Sequence, residues 1–337
     1  MASGEIDFSF VVPVHNTAGL LARCLDSILK QPGDFRIEVI AVDDGSTDAS
    51  PEVLAEYARL HPPVRVVTTA NHGAGAARNA GIGLATGRLI GFVDSDDHIA
   101  DGYCEVTAAA MDDDRVDFVN FGLAYVDGDT QASHTTFARF SQPSLEGDRI
   151  FESALLDKDV ISSPCNKVYR RSFLEAYAIR FPHTRACEDV MFCKVAAFHA
   201  RKVVFVEDIL YIAVIRSGSL TRSVARPLVA EALQVLELEQ DYFSARPLTE
   251  EQRTLLAAHF VKLLGFQLTT AAFRSRADEY QQAHRLLRAS RFFSTMRNAT
   301  LLKRLPLRNS LMARAASWPR LVRAVCQSCK RLGFSVY

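Results

Sequence analysis

The 337-residue chain has little to hold it together covalently or to fix it in a bilayer. Its seven cysteines, at positions 24, 104, 165, 187, 193, 326 and 329, lack the paired spacing of a disulfide framework, and the odd count points to reduced thiols in a reducing compartment. Only Cys326 and Cys329 form a C-x-x-C. With no second pair and no histidine at finger spacing, neither zinc nor redox use is expected. The opening MASGEIDFSF carries no basic region followed by an apolar one, so no cleaved secretory signal is expected and the chain is expected in the cytoplasm. Its longest weakly charged run, Thr254 to Phe273, is broken by His259, Lys262 and Gln267 and reads as a buried or amphipathic helix rather than a membrane span.

The composition, 48% hydrophobic and 23% charged, is that of an ordinary globular protein, and the length suits one or two domains. The net charge of zero conceals an asymmetry. From Arg285 onward there are 12 Lys or Arg and no Asp or Glu, which leaves 27 basic against all 39 acidic residues in the first 284. Apolar runs at 6–14, 36–43, 64–69 and 89–93 alternate with helical patterns at 20–29, 48–59 and 74–85, which predicts a largely parallel sheet covered on both faces. A helix is expected from Glu188, with Met191, Val195 and Phe198 on its core face, followed by a strand over 202–206. Beyond Pro227 the pattern is helical: 228–243, 250–273 and 278–290. These patterns place a domain boundary near 225, giving domains of 1–225 and 226–337.

Three polar clusters follow predicted strands: His15 and Asn16, Asp43 and Asp44, and Asp94 to Asp97. Ligands of open α/β sheets bind outside the carboxyl ends of the strands, so the three converge on one crevice. Crowded carboxylates repel unless a cation or a set of donors holds them. Both known glycine-rich phosphate loops are missing, since G-x-x-x-x-G-K-[ST] is absent and Gly73-Ala-Gly75 does not continue as G-x-G-x-x-G. A nucleoside diphosphate would then be met through a hard cation, Mg²⁺ or Mn²⁺, held by Asp94 and Asp96. The plainer reading of Asp94-Ser95-Asp96 is an acidic turn that ends a strand.

Together FSFVVPVHNTAGLLARCLDSIL, IEVIAVDDGSTDAS, NHGAGAARNAGIGLATGRLIGFVDSDD and CEDVMF resemble the family 2 glycosyltransferases, inverting enzymes with the GT-A nucleotide-sugar fold, over residues 8 to about 220. The resemblance implies a fold with a mostly parallel central sheet, followed here by an α-helical region. It assigns Pro13, His15, Asn16, Asp44, Arg78, Asp94 and Ser95 to nucleotide-sugar binding, with Asp44 on the base and Arg78 near the diphosphate or sugar. Asp96, with Asp94, would hold the metal. Of Asp43 and Asp44, the first is expected to do no more than close a turn with Gly45 and Ser46. The resemblance points to Glu188-Asp189 for the general base, and to Asp189 in particular, although acids in a first helical turn also stabilise a helix without catalysis. Arg216, Ser219 or Thr221 could meet phosphate, and Asn166 and Lys167 could either border the acceptor or lie on the surface.

The implied activity moves a sugar, most simply from a UDP-linked donor, to a hydroxyl of a glycan or lipid-linked glycan in polysaccharide or glycolipid assembly. A non-catalytic nucleotide-sugar-binding scaffold is the alternative from another class, and a nucleotidyltransferase lacks its glycine-rich loop here. In the segment 285–337, RLLRASRFF, LLKRLPLR and WPRLVRAV interleave basic and apolar residues, as expected of a surface meeting anionic lipid on the inner face of a membrane. Packing against the acidic remainder is a second reading. Nucleic acid is not expected, because the apolar residues are too many for a solvated basic arm.

Overall fold

Residues 5–128, 130, 132–215, 228–274, 277–296, 298, 323, 324, 326 and 328 are described by a computed structural model. The chain opens with β1 (Phe8–Val14), α1 (Ala18–Leu29), β2 (Ile37–Asp44), α2 (Ser50–Leu60), β3 (Val64–Thr69), α3 (Ala74–Leu84) and β4 (Leu89–Phe92). These strands pair in parallel in the order β3-β2-β1-β4, with Val11 opposite both Ile40 and Phe92. β1 and β4 are buried along their whole lengths. Strands covered on both faces read as continuous apolar runs, which is why they stand out in the sequence. Pro13, buried in β1, lies past Val11, where the pairing with β4 ends, so on that side no ladder partner needs its missing N–H. α1 buries Leu21, Cys24, Leu25 and Ile28. Gly81 brings α3 so close to β1 that a Cβ there would stand 2.2 Å from Val11 Cγ1.

Beyond β4 come β5 (His98–Ile99), α4 (Tyr103–Ala110), β6 (Val116–Asp127), β7 (Ser133–Phe137), β8 (Ser144–Glu146), α5 (Asp148–Leu156), β9 (Lys167–Arg170), α6 (Arg171–Ala176), α7 (Glu188–His199) and β10 (Lys202–Ile215). The sheet continues from β4 as β9-β6-β10-β5, with β9 antiparallel to both its neighbours and β10 parallel to β6. The parallel arrangement expected from the sequence therefore describes the first four strands, and pairing is mixed beyond them. β6 has nine buried residues in succession, but the buried Asp117 and Asn120 interrupt its apolar run, so its sequence does not read as a covered strand. β10 runs well past the strand of 202–206 expected from the sequence. Register shifts between Val206 and Tyr211 absorb the exposed Glu207 and Asp208 as a bulge.

The chain divides into two compact units, Met1–Ser217 and Gly218–Tyr337. The second holds α8 (Leu228–Ser244), α9 (Glu250–Arg274), α10 (Ala277–Ala289) and α11 (Phe292–Met296), and no strand among its described residues. α9 is long and apolar enough to cross a membrane, and 61% of that stretch is buried within the structure. It buries Leu256, Phe260, Leu264 and Leu268, and its His259 meets Glu239 of α8 at 3.1 Å, both side chains being inaccessible. Most of 297–337, including Trp318 and Cys329, lies outside the described residues, as do Arg216, Ser219 and Thr221.

Candidate active site

At the ends of β1 and β2 the side chains mainly organise the backbone around them. Asn16 adopts a positive φ of 53°, a conformation asparagine tolerates well, and its Oδ1 accepts from the backbone N–H of Thr47 at 2.7 Å. His15 is exposed and its Nδ1 lies 3.0 Å from the Asp44 carbonyl. A carbonyl pairs only with a donor, so Nδ1 carries the proton and Nε2 is left to accept from the side-chain amides of Asn16 and Asn71. Asp43 Oδ1 accepts from Ser46 N–H at 3.0 Å, the turn-closing role expected of it. Asp44 accepts from His72 N–H at 2.9 Å and Gly73 N–H at 2.8 Å, which ties the β3–α3 loop to the end of β2. Nothing local in the sequence marks Asn71, His72 or Gly73 as its partners.

The acidic turn after β4 is held from behind. Asp97 donates its N–H to the Asp94 carbonyl at 2.9 Å, and the Ser95 hydroxyl, buried, accepts from Thr17 Oγ1 at the start of α1 at 2.9 Å. Asp97 is also buried. Its carboxylate accepts from the Tyr211 hydroxyl at 2.6 Å and from Val214 N–H at 2.7 Å, while burial and the neighbouring Asp94 and Asp96 push its pKa well above the usual carboxylate range. Asp94 and Asp96 remain partly exposed.

Arg78 links this turn to the base helix. Its buried guanidinium donates to Asp94 Oδ1 at 2.6 Å and to Glu188 Oε1 at 3.1 Å, and lies 5.3 Å from the centre of the Phe181 ring. The next residue, Asn79, exchanges two hydrogen bonds with the backbone of Phe181, at 2.8 and 2.9 Å. One turn of α3 thus anchors both the acidic turn and the segment leading into α7. α7 starts from Cys187, whose φ of 58° is unusual for a residue with a side chain. Glu188 is committed to Arg78, whereas Asp189 accepts from the N–H of Val190 at 2.9 Å. Loss of solvation, with the Glu188 carboxylate alongside, pushes the Asp189 pKa up to about 7 against the pull of Arg78. The helix N-terminus, which would favour the ionised form, does not prevail.

Asn166 and Lys167 are buried, which removes a surface role. The Lys167 ammonium donates to the carbonyls of Ile161 and Ser163 at 2.9 and 2.6 Å and to Asn166 Oδ1 at 2.8 Å, and burial brings its pKa down to about 8. It shapes the loop before β9 from within.

Asp94 and Asp96 suit a hard divalent cation. They offer oxygen donors only, they are reachable from solvent, and Arg78 occupies a single oxygen of Asp94. Among the described residues no group of three or more His, Cys, Asp or Glu could enclose an ion, so ligand oxygens and water would complete the shell, as is usual for Mg²⁺.

Residues 9–178 match the family described as Glycosyl transferase family 2. The chain is 34% identical over 258 residues to the glycosyltransferase EpsH of Bacillus subtilis, covering 75% of this chain and 74% of that one. In three dimensions it is similar to TarS 1–349 of Staphylococcus aureus in complex with UDP-GlcNAc, with a TM-score of 0.74 at 22% identity over 97% of this chain and 92% of that one. A mannosyltransferase from Pyrobaculum calidifontis, in complex with GDP-Man and Mn²⁺, superposes with a TM-score of 0.54 at 15% identity over 96% and 87% of the two chains.

Proposed function

The chain belongs to glycosyl transferase family 2, and on that premise we propose that it inverts a sugar from a UDP-linked donor onto a hydroxyl of a glycan or lipid-linked glycan. The observation that carries the reading is the Arg78 bridge, which gathers the acidic turn and the head of the base helix about one guanidinium. Asp94 and Asp96 would hold a divalent cation, which supplies positive charge to the departing diphosphate. Arg78 adds a fixed, desolvated charge beside Asp94, and His15, Asn16 and Asp44 shape the base-binding end at β1 and β2.

Inversion is one displacement. The acceptor oxygen bonds to the anomeric carbon as the bond to the diphosphate oxygen breaks, and the acceptor proton passes to Asp189. Asp189 fits that task better than Glu188: among the described residues no cation is paired with it, and a pKa of about 7 makes it a competent proton acceptor at neutral pH. A scaffold that only bound nucleotide would have no need of such a group. The similarity to a chain holding UDP-GlcNAc supports the uridine donor. We place the enzyme on the cytoplasmic face of a membrane, with the basic segment 285–337 toward anionic lipid.

Calorimetric titration of UDP, GDP and CDP, each with Mn²⁺ and with a chelator, tests this reading. UDP is expected to bind in a Mn²⁺-dependent manner and to lose that dependence in Asp96→Ala. Binding of none of the three by the folded protein, or wild-type Mn²⁺ dependence in Asp96→Ala, would overturn it.

A further inference from the structure

The acidic turn carries a third carboxylate that no step above uses. Asp97 is buried, and both its oxygens are bonded to the last strand of the sheet: Oδ2 accepts from the Tyr211 hydroxyl at 2.6 Å and Oδ1 from Val214 N–H at 2.7 Å. Tyr211, itself buried, faces both ways. Its oxygen donates to Asp97 and accepts the backbone N–H of Asp94 at 3.1 Å. One hydroxyl therefore joins the first and last residues of Asp94-Ser95-Asp96-Asp97, and nothing else among the described residues reaches the Asp94 N–H. The bulge in β10 ends at Tyr211, where the strand takes up its pairing with Ile99 of β5, and a bulge of this kind re-aims the side chain that follows it.

A tie to the protein interior through a carboxyl group costs the chain the desolvation of that group, and core stability alone does not require one at this position. We infer that Tyr211 and Asp97 are positioning residues, which hold the backbone at Asp94 so that Asp94 and Asp96 present their carboxylates together to the cation and the diphosphate. The inference rests on the reading of that turn as the cation and diphosphate site. Because the same carboxylate binds Val214, it also fixes the end of β10 relative to the turn.

Two conservative substitutions separate positioning from packing. Tyr211→Phe keeps the ring and removes the hydroxyl that joins Asp94 to Asp97. Tyr103→Phe removes a buried hydroxyl that has no hydrogen-bond partner among the described residues and lies outside the site. UDP binding is measured by calorimetry across a Mn²⁺ series, with melting temperatures alongside. In Tyr211→Phe the Mn²⁺ concentration giving half-maximal binding is expected to rise about tenfold, the loss of roughly one buried hydrogen bond. In Tyr103→Phe it should stay at the wild-type value.

Wild-type Mn²⁺ dependence in Tyr211→Phe, or an equal shift in both variants, would overturn the inference. Should Tyr211→Phe fail to fold, Asp97→Ala replaces it, since its methyl group can bond neither Tyr211 nor Val214; an unshifted Mn²⁺ dependence there overturns the inference equally. Asp96→Ala serves as the reference. If it retains wild-type Mn²⁺-dependent binding, the cation site itself is wrong; if it loses that binding while Tyr211→Phe does not, only the positioning role falls.

Discussion

Gly75 and Glu188 are packed so closely that a Cβ on residue 75 would lie 3.0 Å from Glu188 Cγ. The missing side chain in α3 is what lets the head of α7 approach Arg78. Alanine normally stabilises a helix interior by about 0.5–1 kcal/mol relative to glycine. Gly75 lies in the first turn of α3, where that gain is smaller, and in Gly75→Ala it is set against displacing a glutamate that Arg78 holds and a Phe181 Cβ at 3.3 Å, so the melting temperature should change little while sugar transfer falls severalfold. A loss of stability with unchanged transfer would show that Glu188 has no part in the site.

Asp189 should dominate the pH dependence. Proton transfer needs it ionised, so kcat/KM should fall about tenfold per pH unit below about pH 7. Asp189→Asn should reduce transfer by about 10²–10⁴-fold and leave Mn²⁺-dependent UDP binding intact, whereas Glu188→Gln should cost less. The linkage has a definite sign: a carboxyl whose folded pKa lies above its unfolded one binds extra protons when folded, and its stabilisation is lost as pH rises between 3.8 and about 7. Asp189→Asn should accordingly melt above wild type at pH 8, by a margin that shrinks toward pH 5. Melting curves at the two pH values decide it.

Gly81 and Val11 set the distance between α3 and β1. In Gly81→Ala, overpacking of about 1–3 kcal/mol should outweigh the helical gain, because the neighbour 2.2 Å away is a β-branched core residue. The Val11→Ala, Gly81→Ala double variant should recover part of the loss. A double-mutant cycle in denaturant measures the coupling, and strictly additive losses would rule out direct contact as the cause.

The parallel half of the sheet was legible because its strands are short apolar runs ending in polar clusters, and the helical region because its spacing is regular. β6 and β9 were not. In β6 the buried Asp117 and Asn120 interrupt the apolar run that marks the other covered strands, and four residues such as Lys167 to Arg170 carry too little pattern to register. At the site, the sequence pointed to Asp94, Asp96, Arg78 and Asp189 as single residues, yet it could not show that Arg78 joins two of these acidic clusters. Nor could it show that Asp97, in the same acidic run, turns into Tyr211, a residue 114 positions later. Lys167 looked as suited to the surface as to the acceptor site, because nothing in its neighbours announces the three oxygens that surround its ammonium.

The place of β9 matters before the protein is complete. During synthesis β1 to β4 can pair once Phe92 has emerged, but the open edge of β4 waits for a strand that begins only at Lys167. At roughly 5–20 residues per second, that leaves an apolar strand edge uncovered for about 4–15 s, long enough for it to pair with another nascent chain. Ribosome-bound chains stalled before residue 160 should therefore be more open to chaperones and proteases than chains stalled past 230. The order in which this sheet is written differs from the order in which it is assembled, and the cell has to bridge that interval.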